Sequence, residues 1–153
     1  MRGSNFADTL TGDGGKNVLM GNGGADILKG GGGDDVFRYG DTDLTHDDNE
    51  YAIADRILDF HVLADPAAEH DVIDLRGIDA IPGGSDDAFA FIGQAAFTAI
   101  GQVRVTFDGT NTVVQVNTVD DTFGGAIEYH PEMIIILAGI NVATTIGAGD
   151  FLL

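Results

Sequence analysis

Residues 3–38 read GSNFADTLT, GDGGKNVLM, GNGGADILK and GGGGDDVFR, four nonapeptides in unbroken succession that open at Gly3, Gly12, Gly21 and Gly30. The sixth place of each is Asp or Asn (Asp8, Asn17, Asp26, Asp35), and the eighth is apolar (Leu10, Leu19, Leu28, Phe37). Glycines at the front of each unit permit a tight turn with exposed carbonyls, because they reach positive φ and close backbone approach without a side-chain clash. The last three residues suit a minimal strand whose central apolar side chain points opposite to its neighbours. One such unit buries almost nothing, so the units must stack to build a core. Stacking gathers carboxylates from successive turns. Without a cation those like charges repel one another. A hard cation that takes six to eight oxygens from carboxylates and carbonyls resolves the conflict.

The pattern resembles the G-G-x-G-x-D-x-U-x repeat of RTX proteins, which bind calcium in a parallel β-roll. In that family two nonapeptides make one coil. The resemblance therefore implies that Asp8 shares a Ca2+ site with Asp26 and Asn17 with Asp35, the shells completed by turn carbonyls around Gly3, Gly21, Gly12 and Gly30. Two departures stand out. Asn17 removes one charge from its site, and Phe6 occupies a place usually held by glycine, so an imperfect first turn is expected.

Downstream, Tyr39 to Asn49 is an acidic connector with Asp41, Asp43, Asp47 and Asp48, readable as a solvated loop or as a further calcium site. Asp55-Arg56-Ile57-Leu58-Asp59-Phe60 and Asp71-Val72-Ile73-Asp74-Leu75-Arg76-Gly77-Ile78-Asp79 alternate apolar and polar residues, as half-buried strands do. These two stretches are similar to the D-x-I-x-D-F and D-x-I-D-L-x-G-I-D signatures of the serralysin-type C-terminal domain. The similarity continues through Ala88 to Gly93, Gly101 to Val105, Thr112 to Thr118 and the apolar run Met133 to Leu137. Modules of this kind, the R-modules of alginate C5-epimerases among them, imply an all-β chain. The expected architecture is a parallel calcium β-roll over residues 3–40, followed by an antiparallel β-sandwich-like cap over 41–153, in one continuous module.

The final Asp150-Phe151-Leu152-Leu153, an acid before three hydrophobes, resembles the C-terminal signal of type I secretion substrates in this family. That resemblance implies the type I secretion machinery as a partner and one-step, Gram-negative-type export to the extracellular medium. On this reading, removal of the tail abolishes export and leaves calcium binding largely intact. Phe123 to Pro131 departs from the family pattern and reads either as a surface loop or as a ligand-facing one.

Composition bounds the alternatives. The net charge of −18 argues against nucleic acid and anionic membranes as partners. Acidic residues are lopsided, 21 Asp against 4 Glu, and short Asp side chains suit turns and metal loops. There is no cysteine, so calcium would have to be the staple that a disulfide provides elsewhere. No apolar run approaches a membrane span.

Nor does the chain carry a catalytic constellation. His46, His61, His70 and His130 are scattered, and neither an H-E-x-x-H, a G-x-S-x-G nor a phosphate-binding G-x-x-x-x-G-K-[ST] occurs. The expectation is an accessory module whose parent protein carries any chemistry upstream. Two function classes stand: a calcium-triggered folding and secretion module, and a calcium-dependent module binding an anionic, alginate-like polysaccharide. Lys16, Lys29 and Arg38 are the roll's candidate cations for the second.

Overall fold

The eighth residue of each nonapeptide decides where the strands lie. In the computed structural model Leu10, Leu19, Leu28 and Phe37 sit in β1 (Thr9–Thr11), β2 (Val18–Leu19), β3 (Ile27–Lys29) and β4 (Val36–Gly40). The structure describes residues 1–44, 54–63, 69–83, 86–119, 121–123, 126–128, 131–140 and 145–153. β1 pairs in parallel with β3, Leu10 opposite Leu28, and β2 pairs in parallel with β4, Leu19 opposite Phe37. Both registers are offset by two repeats, so two nonapeptides make one coil and alternate strands fall in opposite sheets. Leu19, Leu28 and Phe37 are fully buried between those sheets. Each contributes about 1.5–3 kcal/mol by leaving water.

A third coil follows the repeats. β5 (Asp55–Ile57) lies parallel beside β3 with Ile57 opposite Leu28, and β6 (Val72–Gly77) lies parallel beside β4 with Ile73 opposite Phe37. Phe60, at the end of the first signature stretch, packs on Phe37 with ring centroids 6.0 Å apart. The parallel winding thus runs on through both signature stretches, past the fourth nonapeptide.

The remaining strands are β7 (Ala90–Phe91), β8 (Gln102–Phe107), β9 (Thr112–Asn117), β10 (Asp121–Phe123), β11 (Ala126–Glu128), β12 (Met133–Leu137) and β13 (Phe151–Leu152). One sheet has the order β1-β3-β5-β12-β9-β8-β7 and the facing one β13-β6-β4-β2, with β10 and β11 as a separate hairpin. β12 joins β5 in parallel and then β9 antiparallel, which is where the roll passes into the cap. β8 and β9 form an antiparallel hairpin. Its turn is set by Asp108, whose Oδ1 accepts the N–H groups of Thr110 and Asn111, and by Gly109 at φ 99°. Val103, Val105, Val114, Val116, Ile135 and Leu137 extend the roll's core without interruption into the cap. Among the described residues there is no α-helix, only 3-10 turns at Asp41–Asp43 and Ala148–Asp150. None of the described helices is long and apolar enough to cross a membrane.

Asp47 and Asp48 of the acidic connector and His46 lie outside the described residues, as do Gly124, Gly125, Tyr129 and His130 of the atypical loop.

Candidate metal centre

Two ladders of aspartates run across the coils at the turns. The Asp8 N–H donates to Asp26 Oδ1 and the Asp26 N–H to Asp55 Oδ1, each at 2.8 Å. On the opposite side the Asn17 N–H donates to Asp35 Oδ1 and the Asp35 N–H to Asp71 Oδ1, again at 2.8 Å. A sixth-position carboxylate therefore spends one oxygen satisfying an amide that the tight turn of the previous coil leaves without a backbone partner.

The second oxygen is the informative one. Asp26 and Asp35 are each 1% exposed. Oδ2 of both is buried with no hydrogen-bond partner among the described residues. An anionic oxygen left bare in the interior costs several kcal/mol unless something positive meets it. Burial, opposed in part by the accepted Asp8 N–H, raises the Asp26 carboxyl above its usual range, and the Asp8 charge adds to the rise. Asp35 is raised by burial first, with the Asp71 and Asp59 carboxylates adding to it against the Asn17 N–H.

The glycines show how tight this space is. A Cβ placed on Gly21 would sit 1.9 Å from Asp26 Oδ2, and one on Gly30 2.1 Å from Asp35 Oδ2. A Cβ on Gly3 would meet the Gly21 carbonyl oxygen at 2.5 Å, and one on Gly12 the Gly30 carbonyl oxygen at 2.0 Å. Only a residue without a side chain lets carbonyl and carboxylate oxygens of successive turns approach so closely. Gly3, Asp8, Gly21 and Asp26 thus come together at one side of the roll, and Gly12, Asn17, Gly30 and Asp35 at the other.

The outermost members differ from the inner pair. Asp8 Oδ2 accepts from the Ser4 N–H at 2.6 Å and the Ser4 hydroxyl at 2.8 Å, which holds its carboxyl below the usual range. The Asn17 amide donates to Asp13 Oδ1 and to the Gly15 carbonyl, leaving its own oxygen as an acceptor. Phe6 is 79% exposed, in keeping with an imperfect first turn. Among the described residues no three His, Cys, Asp or Glu side chains converge into a metal cluster. What the turns offer is two side chains plus carbonyls per site, an all-oxygen set suited to a hard cation.

Three aspartates of this system were not singled out from the sequence as parts of the ladders. Asp55 and Asp71 extend them into the third coil, and Asp59 accepts from the Gly30 and Gly31 N–H groups at 2.9 and 3.0 Å. Burial, with Asp26 and Asp43 as neighbouring charges, drives Asp55 up to about 8, while Asp43 stands at about 6. The signal for them was the Asp that heads each of the two signature stretches, with Asp59 four residues into the first, where the nonapeptide period is already broken.

The tail is built into the molecule. β13 pairs in parallel with β6, Phe151 opposite Ile73. Asp150 is buried, its Oδ1 accepting the Leu63 N–H at 2.7 Å and its Oδ2 the Gly147 N–H at 2.8 Å. β13 is thus an edge strand on β6, whose first residue directly follows Asp71 of the second ladder.

The family model of the RTX calcium-binding nonapeptide repeat matches residues 2–41, in four copies. Residues 2–41 are RTX calcium-binding repeats. Among solved structures, the solution structure of the AlgE6R3 subunit of the Azotobacter vinelandii mannuronan C5-epimerase is 24% identical, with 98% of this chain and 80% of that one covered and a TM-score of 0.52. The AlgE6R2 subunit of the same enzyme is 22% identical, with coverages of 99% and 91% and a TM-score of 0.39. The first of these shares the fold. Comparison with curated proteins gave no match.

Proposed function

We propose that the chain is a non-catalytic C-terminal module that folds on binding calcium and directs type I secretion of a larger extracellular protein. The observation that carries the calcium half is the pair of buried oxygens, Asp26 Oδ2 and Asp35 Oδ2, without a hydrogen-bond partner among the described residues, in turns whose glycine carbonyls are closely stacked. Asp8, Asp26 and the carbonyls around Gly3 and Gly21 would hold one Ca2+, and Asn17, Asp35 and the carbonyls around Gly12 and Gly30 a second. Bound there, the cation supplies the positive charge that the facing carboxylates need. The chain's own part is to present oxygens and to close the ladders.

Extracellular calcium modules bind at roughly 10⁻⁴ to 10⁻³ M, so the sites stay empty in a cytosol. Empty, the repeats have facing carboxylates, many glycines to order and one inward apolar residue per unit. They remain unfolded there, in a form able to thread a narrow channel. Outside, calcium at ten times its dissociation constant adds about 1.4 kcal/mol per site. Circular dichroism through an EDTA and calcium titration tests this: strand signal that is the same in excess EDTA and in millimolar calcium refutes it. The export half rests on the resemblance of Asp150-Phe151-Leu152-Leu153 to type I signals, and undiminished export of a chain ending at Gly149 refutes that half.

A second reading, a calcium-dependent binding module for an anionic polysaccharide, is favoured by one feature of the surface. In a chain with 25 acidic residues, no outward-facing position of β1, β3, β5, β12, β9 or β8 is acidic. That face carries Lys29, Arg56 and Arg104 with Thr9 and Thr11, while Gln115 and the apolar cluster of Ala54, Val113, Ile134 and Ile136 on the same side are buried. Arg104 donates to Gln115 at 2.7 Å and lies 4.6 Å from the Phe97 ring centre, and Asp108 in the neighbouring turn shares the field of Arg56. Its exposed part, away from that cluster, offers hydroxyl and cationic groups, a chemistry that suits a polyuronate. The fold shared with a subunit of a mannuronan epimerase supports the same class. Titration with oligouronates at fixed calcium separates the two readings.

A further inference from the structure

The second place of the four nonapeptides is filled by Ser4, Asp13, Asn22 and Gly31 in turn. Ser4 and Asn22 belong to the units that bring Gly3, Asp8, Gly21 and Asp26 together, and Asp13 and Gly31 to the units that bring Gly12, Asn17, Gly30 and Asp35 together. The two sides of the roll treat this place in opposite ways.

In the first group, two of the candidate ligand oxygens already receive protein donors. The Asn22 amide donates to the Gly3 carbonyl at 2.7 Å, and Ser4 gives Asp8 Oδ2 both its N–H and its hydroxyl. Asn22 is 5% exposed and holds φ 65°, the one residue other than glycine at positive φ among the described residues. Its amide has a single workable orientation. Arg2 Nε donates to Asn22 Oδ1 at 3.1 Å, and a guanidinium has no acceptor to offer, so the NH2 end is turned to Gly3.

The second group has the reverse polarity. Asp13 Oδ1 accepts from Asn17 Nδ2 and from the Gly15 N–H, each at 3.0 Å, which turns the Asn17 amide so that its oxygen stays free. Gly31, at φ 98°, carries no side chain, and a Cβ there would meet the Asp13 carbonyl oxygen at 2.0 Å. Among the described residues no side chain donates to the Gly12 or Gly30 carbonyl or to Asn17 Oδ1. A cation entering the first group therefore meets donor hydrogens on oxygens it needs, and must displace them or bear their repulsion. One entering the second meets open oxygens, with the Asp13 carboxylate behind the Asn17 amide. Counting charged ligands alone gives the opposite order, two carboxylates in the first group against one in the second.

We propose that the second place of the nonapeptide ranks the two sites, so that the Asn17–Asp35 site takes calcium more tightly than the Asp8–Asp26 site despite its missing charge; this rests on the calcium reading above. Asn22 is then a positioning residue that occupies a ligand of its own site and lowers that site's affinity.

Titration calorimetry on chains with one site removed tests the ranking. Asp26→Ala keeps the Asn17–Asp35 site and Asp35→Ala keeps the Asp8–Asp26 site, and each substitution removes one ladder acceptor, so the two chains are matched. The dissociation constant of Asp26→Ala should be at least about threefold lower than that of Asp35→Ala, the scale of one displaced hydrogen bond. Asn22→Gly, added to Asp35→Ala, should tighten binding and narrow the gap, since glycine accepts that φ. Equal affinities, or tighter binding by Asp35→Ala, overturn the proposal, as does an Asn22→Gly change that leaves binding the same or weaker. Should the single-site chains fail to fold, Mn2+ at about a tenth of the chain concentration reads the ranking in the calcium-free parent, because it takes the same oxygen ligands. It should broaden the amide resonances of Gly12, Asn17, Gly30 and Asp35 before those of Gly3, Asp8, Gly21 and Asp26; the reverse order, or equal broadening, overturns the ranking. A parent chain that takes up no calcium at all sinks the calcium reading itself.

Discussion

Replacing Asp26 with alanine removes two interactions that respond differently to calcium. The first is the acceptor of the Asp8 N–H at 2.8 Å, whose loss costs about 1 kcal/mol wherever the roll is folded. The second is the bare Oδ2, which is a liability without a cation and a ligand with one. In EDTA, where the repeats are unfolded, neither interaction is formed, and the variant should lie within about 1 kcal/mol of the parent. At ten times the dissociation constant the parent gains about 1.4 kcal/mol from that site and the variant does not, so the gap widens by that amount. For a chain of this size the widening is a further loss of about 3–6 °C in Tm. Asp26→Asn keeps an oxygen for the Asp8 N–H and discards the charge. It should therefore show the calcium-dependent loss alone. Asn17→Ala, which removes no charge, should lose less calcium affinity than Asp26→Ala. Urea denaturation in EDTA and in calcium, with titration calorimetry for stoichiometry, reads all of these. If Asp26→Ala and Asp26→Asn lose as much in EDTA as in calcium, or bind calcium with the parent's stoichiometry and affinity, the assignment of this site is wrong.

Gly21→Ala and Gly30→Ala should abolish or severely weaken calcium binding without altering charge, because the new Cβ falls 1.9 and 2.1 Å from the carboxylate oxygens of Asp26 and Asp35; calorimetry at unchanged net charge checks it. Leu28→Ala, at the centre of the roll, should cost about 2–5 kcal/mol in urea denaturation in calcium. Asp74, buried on β6, is held below its usual carboxyl range chiefly by Arg76, at 2.9 Å, and also by Arg38, at 3.0 Å. Arg38→Ala should cost less than about 1 kcal/mol, since both guanidinium groups are largely in water and Arg76 stays paired. The folded value of Asp74 lies below the unfolded one, so its contribution is whole above about pH 4 and fades as pH falls through the lower folded value; Asp74→Asn should flatten the stability profile in that acid range.

How much could be read in advance follows the period. While the nonapeptide phase holds, from Gly3 to Arg38, each residue's role follows from its place: glycine in the turn, Asp26 and Asp35 in the ladders, Leu19, Leu28 and Phe37 in the core. Lys29 and Arg38 at ninth places do point away from the core, although Arg38 is spoken for by Asp74. After Arg38 the intervals between coils lengthen, with β5 starting at Asp55 and β6 at Val72, and the period no longer says which strand lies beside which. Alternation still marked 55–60 and 71–79 as strands. It could not show that they continue the parallel winding, because pairing partners across such loops are chosen by the core and by the ladder bonds of Asp55 and Asp71. The tail's resemblance to an export signal was legible in its chemistry, but its place as a strand was not, since two residues of pairing with β6 leave no periodicity to detect.

The two ends of the roll are unequal. One end runs on into β12 and β13, whereas the other stops at β1, whose outer edge has no strand beside it among the described residues. Such an object has a growing point. Eighteen residues of the same nonapeptide grammar placed ahead of Gly3 would lay one more coil on β1 and lengthen the roll by about 4.8 Å. That coil would bring its own aspartate to complete the pairing that Asp8 begins, and would leave the cap and the tail untouched. Length in this architecture is set by counting repeats at a single edge, as a rack is extended by adding teeth at its free end.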